Sequence, residues 1–240
     1  MQTARLSIII PILNEVDNIR PLVSALEKAL STLSWEVIFV DDHSSDGTMN
    51  VVRALAQENP HVRGLCRIGR KGLSSAVIEG AMSSSSPFIA VMDGDLQHDE
   101  TCLLPMMHAL ETEGYDLAVA SRYVAGGKDS GLAHKGRRFL SQVGCWFIRL
   151  ILKTPLSDPM SGFFVIRRKH IDQQVEKLSG KGFKILLDII LANPSPLRTK
   201  EVAMVFRPRQ HGQSKLNWKI ILSFGKMLLH HLWIKFPSKT

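Results

Sequence analysis

Cysteine is scarce in this 240-residue sequence. Cys66, Cys102 and Cys145 lie far apart, in no spacing that suits a zinc site or a redox pair. An odd count without short spacings excludes a disulfide scaffold and fits core thiols in a reducing compartment. The nine histidines form no metal constellation. No apolar run reaches the about 18 residues of a membrane span, and "MQTARLSIII" lacks the pattern of a secretory leader. Internal repeats are missing, and "SSSS" at 83–86 is the one low-complexity tract. Acidic residues are in deficit, 22 against 30 Lys and Arg, for a net charge of +8. That excess points to an anionic partner: nucleic acid, anionic lipid or a phosphorylated substrate. A nucleic-acid binder is disfavoured, because the basic residues sit beside acidic motifs and no aromatic stacking platform is evident.

What remains is enough for a sizeable core, since 45% of residues are hydrophobic and 22% charged. "LSIII" (6–10), "WEVIFVDD" (35–42), "VRGLCRI" (62–68), "PFIAVMD" (87–93) and "YDLAVAS" (115–121) read as strands, most of them continuously apolar, as in strands covered on both faces. Between them, "DNIRPLVSALEKALSTL", "DGTMNVVRALAQENP", "LSSAVIEGAMSSS" and "TCLLPMMHALETEG" carry apolar residues at helical spacing, with Pro21 and Pro105 near two helix starts. The alternation predicts an α/β fold with a mostly parallel, doubly wound sheet. Beyond Arg122 the spacing predicts an amphipathic helix over 134–153, a turn and strand over 158–168, a helix over 182–193 and a strand over 199–210. A last helix, near 217–235, carries Trp218, Leu222, Leu228 and Trp233 along one side with lysines nearby. It reads either as an ordinary packed helix or as an interfacial one.

In open α/β sheets, ligands bind outside the carboxyl ends of the strands. Those ends here are "PILNE", "DDHSSDG", "GRKG", "DGDLQH" and "SRY", so acidic and polar groups converge on one rim. The fourth is the most distinctive. Asp93 and Asp95 alone fit a turn, but hard divalent cations also want several oxygens from one loop. Residues at i and i+2 point to opposite faces of a regular strand. Gly94 is expected to free the backbone so that both carboxylates turn to one ion, with Gln97 adding a third oxygen. His98 reads equally as a ligand, a supporting group or packing. Asp99 and Glu100 read either as a general base or as the cap of a helix starting near Thr101.

In order along the chain, "IIIPILNE", "VDDHSSDGT", "MDGDLQH", "ASRYVAGG", "DPMSGFF" and "RQHGQSK" resemble the family-2 glycosyltransferases of GT-A fold, and among them the polyprenol-phosphate (dolichyl-phosphate) mannose synthases. The resemblance covers essentially the whole chain. It implies a catalytic domain over 1–216, with a nucleotide-sugar half (1–121) and an acceptor half (122–216), followed by an amphipathic membrane-proximal segment (217–240) that leaves room for a membrane-anchoring domain or subunit beyond it. By resemblance, Pro11, Leu13, Glu15, Val40 and Asp42 hold the nucleoside, and Asp93, Gly94, Asp95 and Gln97 the sugar diphosphate. Asp93, Asp95 and Gln97 would ligate Mg²⁺ or Mn²⁺. Arg122, Arg137, Ser141 and Arg209, with Lys215 added, would grip the acceptor phosphate, and Asp95, Arg122, Arg137 and Arg209 would carry catalysis. Leu13 departs from the family pattern, in which an aromatic is common there. Arg70 and Lys71 receive no role.

The implied reaction is inverting transfer of mannose from GDP-mannose to a polyprenyl phosphate at the cytoplasmic face of a membrane. The acceptor is already anionic and requires no general base. A UDP-sugar donor, or a saccharide hydroxyl as acceptor, fits the same motifs. "VDDHSSDG" is also similar to bacterial receiver domains, but those begin with the strand bearing the paired aspartates, whereas here a β-α unit precedes it.

Overall fold

The computed structural model describes residues 4–129, 154, 156–180, 182 and 184–208. The five apolar runs form strands β1 (Leu6–Ile12), β2 (Trp35–Asp41), β3 (Val62–Cys66), β4 (Phe88–Val91) and β5 (Leu117–Ser121). Between them lie helices α1 (Val16–Ala29), α2 (Thr48–Glu58), α3 (Leu73–Met82) and α4 (Leu103–Glu111), the last led in by a 3₁₀ turn at Glu100–Cys102. Side chains alternate across a strand, so each strand feeds two apolar layers. Leu6, Ile8, Ile10, Val37 and Phe39 meet α1, α2 and α4 through Ile19, Leu22, Leu26, Val52 and Met106. Ile9, Ile38, Val40, Leu117 and Val119 meet α3 and a later helix, α5 (Ile185–Ala192). Pro105 lies at the third residue of α4, whereas Pro21 falls inside α1 rather than at its start.

The second half of the chain completes the same sheet. Strand β7 (Phe164–Arg167) inserts antiparallel between β4 and β5, and β8 (Thr199–Ala203) adds parallel to β5. Among the described residues the sheet has seven strands in the order β3-β2-β1-β4-β7-β5-β8, of which β7 alone runs antiparallel to its neighbours. The strand expected over 199–210 is broken instead. Buried Met204 donates its N–H to the Ser121 carbonyl, and the chain leaves the main sheet to form β9 (Val205–Phe206), which pairs with β6 (Lys128–Asp129). Cys102 is a core thiol: burial, with Asp99 beside it and Arg207 opposing, pushes it up to about 12. Cys145 and the helices expected over 134–153 and 217–235 lie outside the described residues. Among the described residues, no helix is long and apolar enough to cross a membrane.

Candidate active site

The described residues include three non-glycine residues with left-handed backbone, Asn14 (φ 52°), His43 (φ 64°) and Leu96 (φ 62°). They follow β1, β2 and β4, on the rim where the sequence gathers its polar groups. Such conformations persist only where surrounding bonds impose them, and they cluster at functional sites. Here the bonds are visible. The Asn14 N–H donates to Ser44 Oγ (2.8 Å), the Ser45 N–H to Asn14 Oδ1 (2.9 Å) and the Glu15 N–H to Thr48 Oγ1 (3.0 Å). Asp46 closes the join by accepting from the Val16 and Thr48 N–H groups. The loops after β1 and β2 are therefore laced into one platform.

Burial works to raise the Asp46 carboxyl, but the hydrogen bonds from Thr48 and Val16 outweigh it and hold the group below its ordinary value. A depressed carboxylate contributes stability above its unfolded pKa of about 4 and loses it as pH falls through the lower folded value. Asp46→Asn is therefore expected to be less stable than wild type at pH 7, with the gap closing as pH falls below the ordinary carboxylate range. Urea unfolding across that range checks this, and a gap that widens in acid contradicts it.

On this platform Pro11 pairs with Val40 across β1 and β2. The Val40 side chain is wholly buried in the α3 layer, so any part it has in ligand binding falls to its backbone. Leu13 and Glu15 are half-buried, and Glu15 Oε2 accepts from Asn18 Nδ2 (2.6 Å). Asp42 is anchored twice: Oδ1 accepts from Arg67 Nη1 (2.8 Å) and Oδ2 from the Gly72 N–H (2.7 Å). Each oxygen keeps a second lone pair for a ligand. Arg67 is among the largest fully buried side chains, with further bonds to the Gly72 carbonyl and Ser75 Oγ and with Glu79 3.3 Å from Nε. The sequence reading missed it. Exposed Arg70 pairs with Glu79, and Lys71 is exposed.

The loop after β4 carries Asp93, Asp95 and Gln97. Asp93 is 40% exposed, whereas Asp95 and Gln97 are buried. Asp95 Oδ1 accepts from the Gln97 N–H (3.2 Å), and Gln97 Nε2 donates to the Arg207 carbonyl (3.0 Å). The part expected of Gly94 needs correction. Its backbone is not left-handed, and the turn is made at Leu96. Glycine instead leaves space, because a Cβ there would lie 3.0 Å from Ile12 Cγ2 and 3.3 Å from Ile10 Cγ2, which would have to give way. Among the described residues, no three His, Cys, Asp or Glu side chains converge on a metal position. Two carboxylates and one amide oxygen nevertheless fit Mg²⁺ or Mn²⁺, which complete their shell with substrate phosphates and water.

Asp99 and Glu100 are engaged elsewhere. Asp99 Oδ1 accepts from the Thr101 N–H at the start of the 3₁₀ turn, as a cap does. Arg207 donates to Asp99 (2.9 Å) and Glu100 (2.7 Å). Burial opposes the Arg207 charge, but these two carboxylates more than offset it and raise its pKa.

Across the rim, Arg122 donates from Nε (2.8 Å) and Nη2 (3.1 Å) to Asp158, which is fully buried. The guanidinium lies over the Tyr123 and Phe206 rings, and Phe206 also tilts against His98, whose own ring stacks on Phe163. Phe206 thus joins the Arg122 corner to the acidic loop. Glu201, also unforeseen, holds the segment before Asp158 by accepting from Ser157 N–H and Oγ. Arg137, Ser141, Arg209 and Lys215 lie outside the described residues.

The family model for glycosyl transferase family 2 matches residues 7–174. The dolichol-phosphate mannosyltransferase of Pyrococcus furiosus is 36% identical over 95% of this chain, which spans 63% of that protein's length. Its namesake in Saccharomyces cerevisiae is 34% identical over 98% of this chain and 89% of its own. Among solved structures, a mannosyltransferase from Pyrobaculum calidifontis in complex with GDP-Man and Mn²⁺ superimposes with a TM-score of 0.64 at 14% identity, covering 100% of this chain and 66% of that one. A glucosyl-3-phosphoglycerate synthase from Mycobacterium tuberculosis in complex with UDP gives 0.65 at 17% identity, covering 95% of this chain and 80% of that one. The fold is thus that of the GT-A glycosyltransferases. Motifs, sheet order and relatives agree, and the chain belongs to glycosyl transferase family 2.

Proposed function

We propose that the protein transfers mannose from GDP-mannose to a polyprenyl phosphate of dolichyl type, with inversion at the anomeric carbon. The observation that carries this reading is the rim itself: Phe206 links the acidic loop, through His98, to a guanidinium fixed by a buried carboxylate, and the neighbouring acids Asp99 and Glu100 are tied to Arg207. That Asp99 and Glu100, the two acids beside the loop, are engaged in this way is consistent with an acceptor that needs no deprotonation. The relatives' shared name supports both donor sugar and acceptor.

In this reading Asp93, Asp95 and Gln97 hold Mg²⁺ or Mn²⁺, which supplies Lewis-acid stabilisation of the departing diphosphate. Pro11, Leu13, Glu15, Asp42 and the Val40 backbone seat the nucleoside on the platform of the first two loops. An acceptor phosphate oxygen bonds to the anomeric carbon as the bond from that carbon to the diphosphate oxygen breaks, and GDP leaves. Arg122 offers donors in a fixed plane. Its charge is balanced by Asp158, so it orients the acceptor phosphate more than it attracts it. Attraction falls to Arg137, Arg209 and Lys215, with Ser141 as a further donor. The acceptor's lipid tail requires the rim to face a bilayer, where each basic side chain gains about 1 kcal/mol from anionic lipid. The division into halves at 121/122, and 217–240 as a membrane-proximal segment at the cytoplasmic face, belong to the same proposal.

The test is a donor and acceptor screen with Mn²⁺ or Mg²⁺. Labelled product from GDP-mannose and polyprenyl phosphate, with none from the free polyprenol, is expected. Transfer only from UDP-glucose, or only to a hydroxyl acceptor, overturns the reading.

A further inference from the structure

The mechanism leaves two residues beside the acidic loop without a role. His98 is 4% exposed. Its Nδ1 accepts the Asp93 backbone N–H (3.1 Å), so the proton of the neutral ring sits on Nε2. That nitrogen faces Asp93 Oδ2 at 3.7 Å. One ring therefore fixes the backbone of Asp93 and presents an N–H toward its carboxylate. The stacking of the ring on Phe163 and its contact with Phe206 hold its plane.

Gly162 approaches the same carboxylate from the segment just before β7. The β4–β7 register sets Val91 opposite Phe164, and two further residues along it set Asp93 opposite Gly162. A Cβ at Gly162 would lie 3.2 Å from Asp93 Oδ2, 3.5 Å from Oδ1 and 3.4 Å from His98 Cε1. Its backbone is not left-handed, so what glycine offers here is space: an added Cβ would be accommodated by a shift of the Asp93 carboxylate. An added Cβ would therefore crowd the carboxylate by a few tenths of an ångström while only touching the ring.

We propose that His98 and Gly162 are positioning residues that together hold the Asp93 carboxylate in the orientation from which it meets a divalent cation. This rests on the functional reading above, in which Asp93 is a ligand. It assigns the "SGFF" strand a part in the donor site, in addition to its support of Arg122 through Asp158. Groups that orient a metal ligand typically alter metal affinity by about 10- to 100-fold when changed. A residue that only packs would not do so selectively.

The test uses the full chain and measures Mn²⁺ affinity in the presence of GDP by titration calorimetry, beside GDP affinity in EDTA and thermal melting. His98→Phe keeps the stacked ring but loses both nitrogens, and His98→Asn restores an acceptor for the Asp93 N–H. Gly162→Ala and His98→Phe are expected to bind Mn²⁺ about 10-fold or more weakly, with GDP binding in EDTA unchanged and His98→Asn in between. His98→Asn keeps the test readable should Gly162→Ala fail to fold. Mn²⁺ affinity within twofold of wild type in both His98 variants overturns the proposal. Wild type that takes up no Mn²⁺ beside GDP overturns it together with the functional reading. Wild type that binds Mn²⁺ normally but transfers no mannose to polyprenyl phosphate refutes that reading alone.

Discussion

Asp158→Ala is expected to destabilise the protein by about 3–5 kcal/mol, the usual cost of stripping one partner from a buried ion pair. The magnitude follows from burial: Asp158 is 0% exposed and Arg122 13% exposed at the side chain, so water cannot replace the lost partner. A surface pair would be worth less than about 1 kcal/mol. Replacing both residues with apolar ones removes the stranded charge. Asp158→Ala with Arg122→Leu should therefore recover most of the stability while transfer stays lost, if Arg122 orients the acceptor phosphate as proposed. Urea unfolding and a transfer assay on the same preparations separate the two effects. An Asp158→Ala protein within about 1 kcal/mol of wild type would mean that the pair is not the desolvated one described.

The largest effect on turnover belongs to the acidic loop. Asp95→Asn and Asp93→Asn are each expected to lower kcat/KM for GDP-mannose by on the order of 10³, about 4 kcal/mol of transition-state stabilisation. Asparagine preserves shape, and its amide oxygen can still accept the Gln97 N–H that Asp95 receives. Folding should therefore be little changed, and the loss reflects charge. Steady-state kinetics with melting curves checks this. Activity within tenfold of wild type in both variants would show that neither carboxylate holds the ion.

How far these features could be foreseen depends on whether they are local. Strands β1 to β5 and helices α1 to α4 were legible because continuous apolar runs and 3.6-residue spacing are properties of short segments. The place of β7 was not, since "FVIR" carries no mark of direction and only pairing with β4 and β5 decides it. Three basic residues crowd into "RIGRKG", and nothing local tells that Arg67 is buried against Asp42 while Arg70 and Lys71 face solvent. Arg207 is equally hidden within "FRPR". Its partners Asp99 and Glu100 lie more than a hundred residues earlier in the chain, and only the fold brings them close. At Gly94 the sequence suggests backbone freedom, whereas the structure shows crowding by β1 side chains, which no local pattern reveals.

In the proposed function Asp93 and Asp95 would hold a divalent cation that stabilises the diphosphate of a sugar nucleotide. The most direct measurement is anomalous scattering from crystals of the protein grown with GDP and Mn²⁺. A single strong manganese peak within coordination distance of both carboxylates and of a phosphate oxygen is the result expected. A bound nucleotide with no peak there, or with manganese held by other residues, would contradict the account.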